Sequence, residues 1–404
     1  MEVSLFFEFI QVAVGKRKSL SVSVTDADWQ RLFEFCKRQA LIGVGFTAVE
    51  KLYILGVECP ANLRIKWMAL ALQIEKRNGL LNEQCKKLTE QYGHDGLSTC
   101  ILKGQGNLLN YPEYLRKRRQ CGDIDVWTVC KNGIPIAVQT GKDKAEYVEY
   151  HGRKAVIEYV KMQHRLEGNN DMPKQNYHHI DAPTMDETEV EVHFRAAHLY
   201  SPLRNWRLQK WMNEHADECM KNKTHLGFAM PTSSVNVIYQ MTHIYKHHID
   251  GGLGFRHLMD YYYVLRVWHN DVMECKDLQT QGMWCEGLGT HVMSNEEVMS
   301  VMRSFGMTKF AAAVMYVLHK VFDMSSHYYI CNLNEKEGKK LLTEIMNSGN
   351  FGHYDSEKPN VYQHRFQYHI WKFKRIFRLA MSYPEEAMWE PVFRGWRKIM
   401  RLIH

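Results

Sequence analysis

Strand-type alternation in this chain is confined to residues 97–197, with helical periodicity on either side, and two of the few strands there carry acids on one face. In "CGDIDVWTV", residues 121–129, Asp123 and Asp125 stand one residue apart, so a strand puts both carboxylates on the same side. In "TEVEVHF" the residues Glu189, Glu191 and His193 alternate with valines and line one face in the same way. Like charges held this close repel. A fold that brings these strands together needs something positive between them. An α+β fold with a small mixed sheet and helical flanks is therefore expected.

The pattern divides the chain into an N-terminal helical region (1–95), a core (96–197) and a C-terminal helical region (198–404). "TDADWQRLFEFCKRQALIGVGFTAVEKL" opens with cap-type residues and carries apolar residues at helical spacing. The next amphipathic run predicts a long helix ending at Gly93. In the core, "STCILKG" predicts a strand stopping at Gly104, "QGNLLNYP" a turn into a helix, and "DIDVWTV" a strand broken by Asn132–Pro135. Residues 142–166 predict a helix, followed by a polar loop over 167–175. "NYHHIDA" and "TEVEVHFRAA" predict two strands joined by a turn around Pro183.

Composition excludes several classes. Of the 404 residues 45% are apolar and 24% charged, which is globular and not disordered. No apolar run reaches the ~18 residues of a membrane span. The apolar N-terminal stretch has no basic segment before it and no small-residue cleavage site after it, so a signal peptide is not expected. The ten cysteines include no CxxC pair. Reduced thiols and a cytoplasmic location follow as expectations. The 52 Lys and Arg against 45 Asp and Glu suit a protein that handles phosphates, without demanding nucleic acid.

Hard divalent cations, Mg²⁺ or Mn²⁺, take oxygen ligands and also bind substrate phosphates, so they are the natural filler between converging acids. A lone D-x-D on a strand can equally be an exposed edge pair that discourages aggregation. Two further features favour the metal. "LKG", with a second glycine at 106, precedes the acids at a strand-to-helix turn, where phosphate can approach backbone N–H groups. The E-x-H strand supplies a third acid.

A glycine turn after a first strand, D-x-D on a second and an acid on a third resembles the DNA polymerase β-like nucleotidyltransferase superfamily. More closely, "ILKGQGNLLNYPEYLRKRRQCGDIDVWTV" resembles an uncharacterised bacterial nucleotidyltransferase family. Its pattern is a lysine-glycine turn, a tyrosine-proline, an arginine and G-D-I-D, with a later V-E-x-H strand, here Val190–His193. "MTHIYKHHIDGGLGFRHLMDYYYVL" is similar to that family's downstream segment. Two departures stand out. Gly104-Gln105-Gly106 replaces the usual G-S or G-G, and the segment before Gly122 is a residue or two longer than usual.

The resemblance implies a metal-dependent nucleotidyltransferase core and a set of roles. Asp123 and Asp125 would hold the metal bridging an NTP, and Glu191 the second metal while helping to deprotonate the acceptor hydroxyl. Glu189 on the same face is the alternative acid. Lys103, with the backbone at Gly104 and Gly106, and Arg119 would hold phosphate oxygens, Arg116 and Arg118 being alternatives to Arg119. His193 and Lys246 complete the nucleotide-facing set. The reaction would be attack on the α-phosphorus of an NTP with release of pyrophosphate. The acceptor is open: a small molecule or protein fits better than RNA, because no base-stacking platform or strongly basic groove is evident. A catalytically silent nucleotide-binding sensor or scaffold, and a toxin-like enzyme acting on tRNA or protein, are the alternatives.

Histidines number 21. His178 or His179 can face the acids across the hairpin, as a general base or a phosphate contact, or stand as an exposed strand histidine. His243 and His247 are i, i+4 on a helix, a zinc-compatible spacing, but lack the H-E-x-x-H glutamate and an obvious third ligand. Arg256 and Asp260, also i, i+4, read as a structural ion pair. "GGLGF" reads as the end of one helix and the start of the next. From residue 364 the chain has nine Lys or Arg against three Glu, with many aromatics. Such a helix can lie on a membrane surface or on nucleic acid, but aromatics packed inward beneath a solvated basic face is the favoured expectation.

Overall fold

Alternation over the core resolves into two sheets in the computed structural model, which describes residues 3–139, 145–168, 171–280, 292–354, 358–359 and 365–403. The main sheet has four strands in the order β1-β2-β6-β5, from Ser98–Ile101 (β1), Ile124–Val129 (β2), His179–Met185 (β5) and Thr188–His193 (β6). β1 and β5 run antiparallel to their neighbours, and the central pair β2 and β6 is parallel. The fold is α+β with helical flanks, as the alternation predicts.

The chain crosses between the parallel strands through a hairpin, Ile134–Gln139 (β3) and Ala145–Tyr150 (β4), and the helix Gly152–Leu166. The sequence reading missed this hairpin, running a helix from residue 142. Val148 and Tyr150 pair with Ile136 and Ile134, and Gly133 at φ +78° turns the chain into β3. Residues 142–144 of the expected helix, residues 169–170 of the expected polar loop and His364 at the head of the basic stretch lie outside the described residues.

Other boundaries moved for local reasons. The long helix Ala61–His94 runs through Gly93 and stops at Asp95, with Gly96 (φ +84°) taking the left-handed position after the cap. The β5–β6 turn is Asp186-Glu187, both at positive φ (47° and 64°), and not Pro183. Pro183 lies at a register irregularity of the edge strand β5, where a missing N–H is tolerated.

Each face of the main sheet has its own core. Ile124, Val126, Val190, Val192, Ile180 and Ala182 pack with Leu81, Cys85 and Leu88 of the long helix and with Ala155, Val156 and Tyr159 of the crossover helix. The larger core joins the two ends of the chain: Phe6 and Phe9, Trp29 and Trp67, the helices Ser233–Asp250 and Phe255–Thr280, and the helix Thr308–Phe322. Residues 251–254, the "GGLG" segment, connect two helices as expected.

The basic C-terminal stretch forms two mutually packed helices, Arg365–Ala380 and Pro384–Ile403. The expectation that their aromatics pack inward holds only in part. Ile376, Leu379, Tyr383 and Ala387 are buried, but Phe366, Phe373 and Phe377 are 69–76% exposed. The inward side is already filled by aliphatics and by Arg375, which donates to Glu344 and to the His248 carbonyl. Among the described residues no helix is long and apolar enough to cross a membrane.

Candidate functional site

The register of the parallel strands sets the site. Asp125 lies opposite Glu191, and Trp127 opposite His193. On the far side of β6, His179 lies opposite His193, and Asp181 opposite Glu191. One face of the sheet therefore carries a row of acids and a row of imidazoles, while the valines and isoleucines between them face the core behind. Asp123, just before β2, extends the acid row at its exposed rim. Glu189 lies two residues further from His193 on β6, is exposed, and does not line the cavity described below.

Lys103 is aimed at this row by an unusual turn. β1 ends at Ile101, and Lys103 and Gly104 follow with φ of +35° and +22°. Glycine is the residue that adopts such a φ at low cost, and a β-carbon at Gly104 would stand 3.6 Å from the Asp123 carbonyl. The turn brings Lys103 Nζ to 2.5 Å from Asp125 Oδ1. Gly106 has another function: a β-carbon there would come within 2.2 Å of the Ile101 carbonyl oxygen, and the residue does not line the cavity. Gln105 turns away and donates to Asn82 Oδ1 (2.6 Å) and the Asn78 carbonyl (3.2 Å).

The electrostatics follow from this packing. Burial opposes charge on Asp125, but the Lys103 ammonium and the His193 ring outweigh it and hold the carboxyl below its ordinary range. Burial likewise opposes charge on Lys103, and Asp125, with Glu191 and Asp123, holds the ammonium above its ordinary range. His193 Nε2 sits 2.9 Å from Asp125 Oδ1 and 3.4 Å from Glu191 Oε2. Burial works against the imidazolium, and the two carboxylates raise it nonetheless. Glu191 is also 2.9 Å from His179 Nδ1, so His179 is the member of the His178–His179 pair that meets the acids. Against burial, these two imidazoles keep Glu191 strongly ionised. Asp123 is the exception: the Asp125 carboxylate, more than its partial burial, pushes it up. The acid row is thus compensated at Asp125 and Glu191 and left in repulsion at Asp123.

The row forms one wall of a cavity of about 230 Å³. The opposite wall comes from the helices Ser233–Asp250 and Phe255–Thr280, which contribute His243, Lys246, His247, Arg256 and His257, with Phe351 packed against His247 and His257. His243, His247 and His257 bring nitrogens within 4.8 Å of one another, so His257 is the third imidazole that the i, i+4 spacing alone did not reveal. Burial holds all three well below the ordinary imidazole range, His247 at about 3. His257 Nδ1 accepts from the Gly254 N–H (3.2 Å), which leaves its Nε2 carrying a proton to donate. His178 and His198 pack ring against ring at 4.5 Å on the flank and are likewise kept neutral by burial.

Two expected phosphate ligands are already engaged. Arg119 grips Asp260 in a buried two-pronged pair, Nε to Oδ1 and Nη2 to Oδ2, both at 2.6 Å, and Tyr111 donates to the same carboxylate. This corrects the expected Arg256–Asp260 pair: helical spacing permits it, but Arg119 approaches with its fork in plane and takes both oxygens. Arg256 instead donates Nη1 to the Gln120 carbonyl, its Nε is buried with no partner among the described residues, and it lines the cavity. Lys246 lines the cavity while pairing with Asp250 at 2.6 Å. Arg116 donates to the Tyr111 carbonyl, and Arg118 binds Glu50 and Glu75 outside the cavity.

Asp125, Glu191 and His193 offer ligand atoms within 4.8 Å of one another, so this corner of the cavity could hold a divalent ion. The structure thus gathers Lys103, Gly104, Arg119, Asp123, Asp125, Glu191, His193 and Lys246 around one cavity. Arg256, His257, His198 and Phe351 line it too and were not foreseen as site residues. Arg256 and His257 fall in "GFRHLMD", but helical spacing alone reads Arg256 as the partner of Asp260 and gives no sign that either reaches the cavity.

A family model described as uncharacterised nucleotidyltransferase matches residues 25–282 of the chain. Neither a curated protein nor a solved structure matches it.

Proposed function

The chain belongs to the uncharacterised nucleotidyltransferase family, and from that premise we propose that it moves a nucleoside monophosphate from an NTP to the hydroxyl or phosphate of a small acceptor, with a polymerase β-like arrangement of metal-binding acids. The observation that carries this reading is the acid row, Asp125 and Glu191 on adjacent parallel strands with Asp123 just before the first, at the wall of a cavity that Lys103 also enters.

The donor set fits Mg²⁺ or Mn²⁺: three carboxylates supply hard oxygen ligands, and the unrelieved repulsion at Asp123 is what a divalent cation would cancel. Bound there, the ion supplies charge neutralisation for the triphosphate and for the attacking oxygen. The chain's own groups do the rest. Lys103 exchanges its hold on Asp125 for a phosphate oxygen, as a point charge. Arg256, with its unpartnered Nε, takes a second phosphate oxygen, a role that Arg119, committed to Asp260, fills less readily. Glu191, beside His179 and His193, receives the acceptor's proton. The acceptor oxygen bonds to the α-phosphorus as the bond to the β-phosphate oxygen breaks, and pyrophosphate leaves.

One observation favours the alternative, a nucleotide-binding sensor without turnover. Lys103 and His193 already neutralise Asp125 from within the chain. Mass spectrometry separates the two readings. Purified protein is incubated with the four NTPs, Mg²⁺ or Mn²⁺ and a cell extract, beside the Asp123→Ala/Asp125→Ala variant. A nucleoside-monophosphate adduct that disappears in the variant supports transfer. NTP bound by folded protein, with neither adduct nor pyrophosphate, overturns it in favour of the sensor.

A further inference from the structure

The two C-terminal helices expose apolar side chains that neither the core nor the cavity uses. On Arg365–Ala380, the residues Phe366, Ile370, Phe373 and Phe377, continued by Met381 just past its end, recur at i, i+4, i+7, i+11 and i+15. That spacing is a single narrow stripe, and its members are 40–76% exposed. On Pro384–Ile403, Met388, Val392, Trp396 and Ile399 recur at i, i+4, i+8 and i+11, again 45–61% exposed, with Trp389 beside them. The sides facing the protein are separately filled, by Ile376, Leu379, Tyr383 and Ala387. The first helix therefore carries one apolar stripe into the core and a second, richer in aromatics, out of it; the second turns Ala387 and Phe393 inward and its other apolar residues outward, with Trp396 at the edge against Tyr177.

The charges say what suits the outer stripe. All three acids of the hairpin are tied inward: Glu385 binds Arg204, Glu386 accepts from the Tyr200 and Ser201 N–H groups, and Glu390 pairs with Lys372. Lys374, Arg378 and Lys398 are exposed beside the stripes. The outer face is apolar at its centre and purely cationic at its margin. A second copy of the chain would bring this cationic margin against itself and is disfavoured by repulsion. Nucleic acid would match the charge, but Ile370, Met381, Met388, Val392 and Ile399 have no ring to stack on bases. Phe and Trp with aliphatics on one side and Lys and Arg along the edge is the composition of a helix lying in the headgroup region of an anionic bilayer.

We propose that the hairpin formed by Arg365–Ala380 and Pro384–Ile403 docks the protein on an anionic membrane surface, its outer stripe sunk to the acyl boundary and its Lys and Arg among the headgroups. This goes beyond the catalytic reading and stands independently of it. It rests on the part of the expectation of inward-packed aromatics that fails, since Phe366, Phe373 and Phe377 are turned outward.

The test is co-sedimentation of the full chain with vesicles of phosphatidylcholine alone or mixed with phosphatidylglycerol, at low and high salt. The wild type is expected to sediment with the mixed vesicles, less so at high salt, and weakly with phosphatidylcholine alone. Phe373→Glu/Phe377→Glu is expected to abolish binding, and Lys374→Glu/Arg378→Glu to remove the preference for the anionic lipid. All four positions are exposed, so circular dichroism should report unchanged folding. A folded wild type that stays in the supernatant at low salt, or binding unchanged by the Phe variant, overturns the proposal. So does a wild-type dimer that the Phe variant converts to monomer without vesicle binding, since a second copy then covers the stripe. Binding of single-stranded RNA in place of vesicles overturns it as well.

Discussion

At the scale of single residues, the site is a charge balance read one contact at a time. Lys103, His193 and His179 let Asp125 and Glu191 stay ionised inside the protein, and Asp123 carries the residual repulsion. Replacing Asp125 by Asn removes a proposed metal oxygen and strands the Lys103 ammonium, so nucleotidyl transfer is predicted to fall at least a hundredfold, about 3 kcal/mol in the barrier. Steady-state pyrophosphate release checks this. Arg119 makes a different prediction. Its fork is committed to a buried Asp260, and removing one partner leaves an uncompensated charge, so Asp260→Asn should cost about 3–5 kcal/mol of stability. Chemical denaturation measures that cost. The double variant Arg119→Met/Asp260→Leu should recover part of it, because no buried charge is then left alone.

At the scale of elements, strand and helix ends were legible where a local rule acted and illegible where tertiary contacts decided. The acid strands were plain from alternation, and the capping box Thr25–Asp28 marks its helix start in both sequence and structure. The β3–β4 hairpin was hidden because its strands are short and run directly into a helix that carries helical spacing from residue 152. Gly93 drew attention as a helix stop, but Gly96 holds the left-handed conformation that ends the helix. Of the site, the acids, Lys103 and His193 could be read from two short stretches. Arg256 and His257 could not, because only the packing of a helix more than 130 residues downstream brings them to the cavity. Gly106 was foreseen as a phosphate contact but instead lets the helix start pass the Ile101 carbonyl. Gly106→Ala should therefore cost roughly 1–3 kcal/mol through overpacking. Thermal unfolding would reveal this even with no nucleotide present.

At the scale of the whole molecule, the larger core knits the first helices to the last third of the chain, and the C-terminal hairpin is fastened to it through a buried acid. Glu386 accepts from the Tyr200 and Ser201 N–H groups. Burial, only partly countered by those bonds, pushes its carboxyl up to about 7. A carboxyl raised above its unfolded value contributes stability that is full below the unfolded value and is lost as pH rises through the folded one. Hairpin attachment is thus predicted to weaken as pH rises from about 4.5 to about 7 and to level off above that. Glu386→Gln should flatten that dependence, with hydrogen exchange over Pro384–Ile403 as the readout.

The claim on which the functional account turns is that the acid row holds a divalent cation together with the nucleotide. Electron paramagnetic resonance of Mn²⁺, titrated with protein and a non-hydrolysable NTP analogue, tests it most directly. The account predicts protein-bound Mn²⁺ whose affinity rises with the analogue and which is lost in Asp125→Asn. Analogue bound equally well with and without Mn²⁺, in wild type and variant alike, would contradict it and leave Lys103 as the cation that the acids were built to hold.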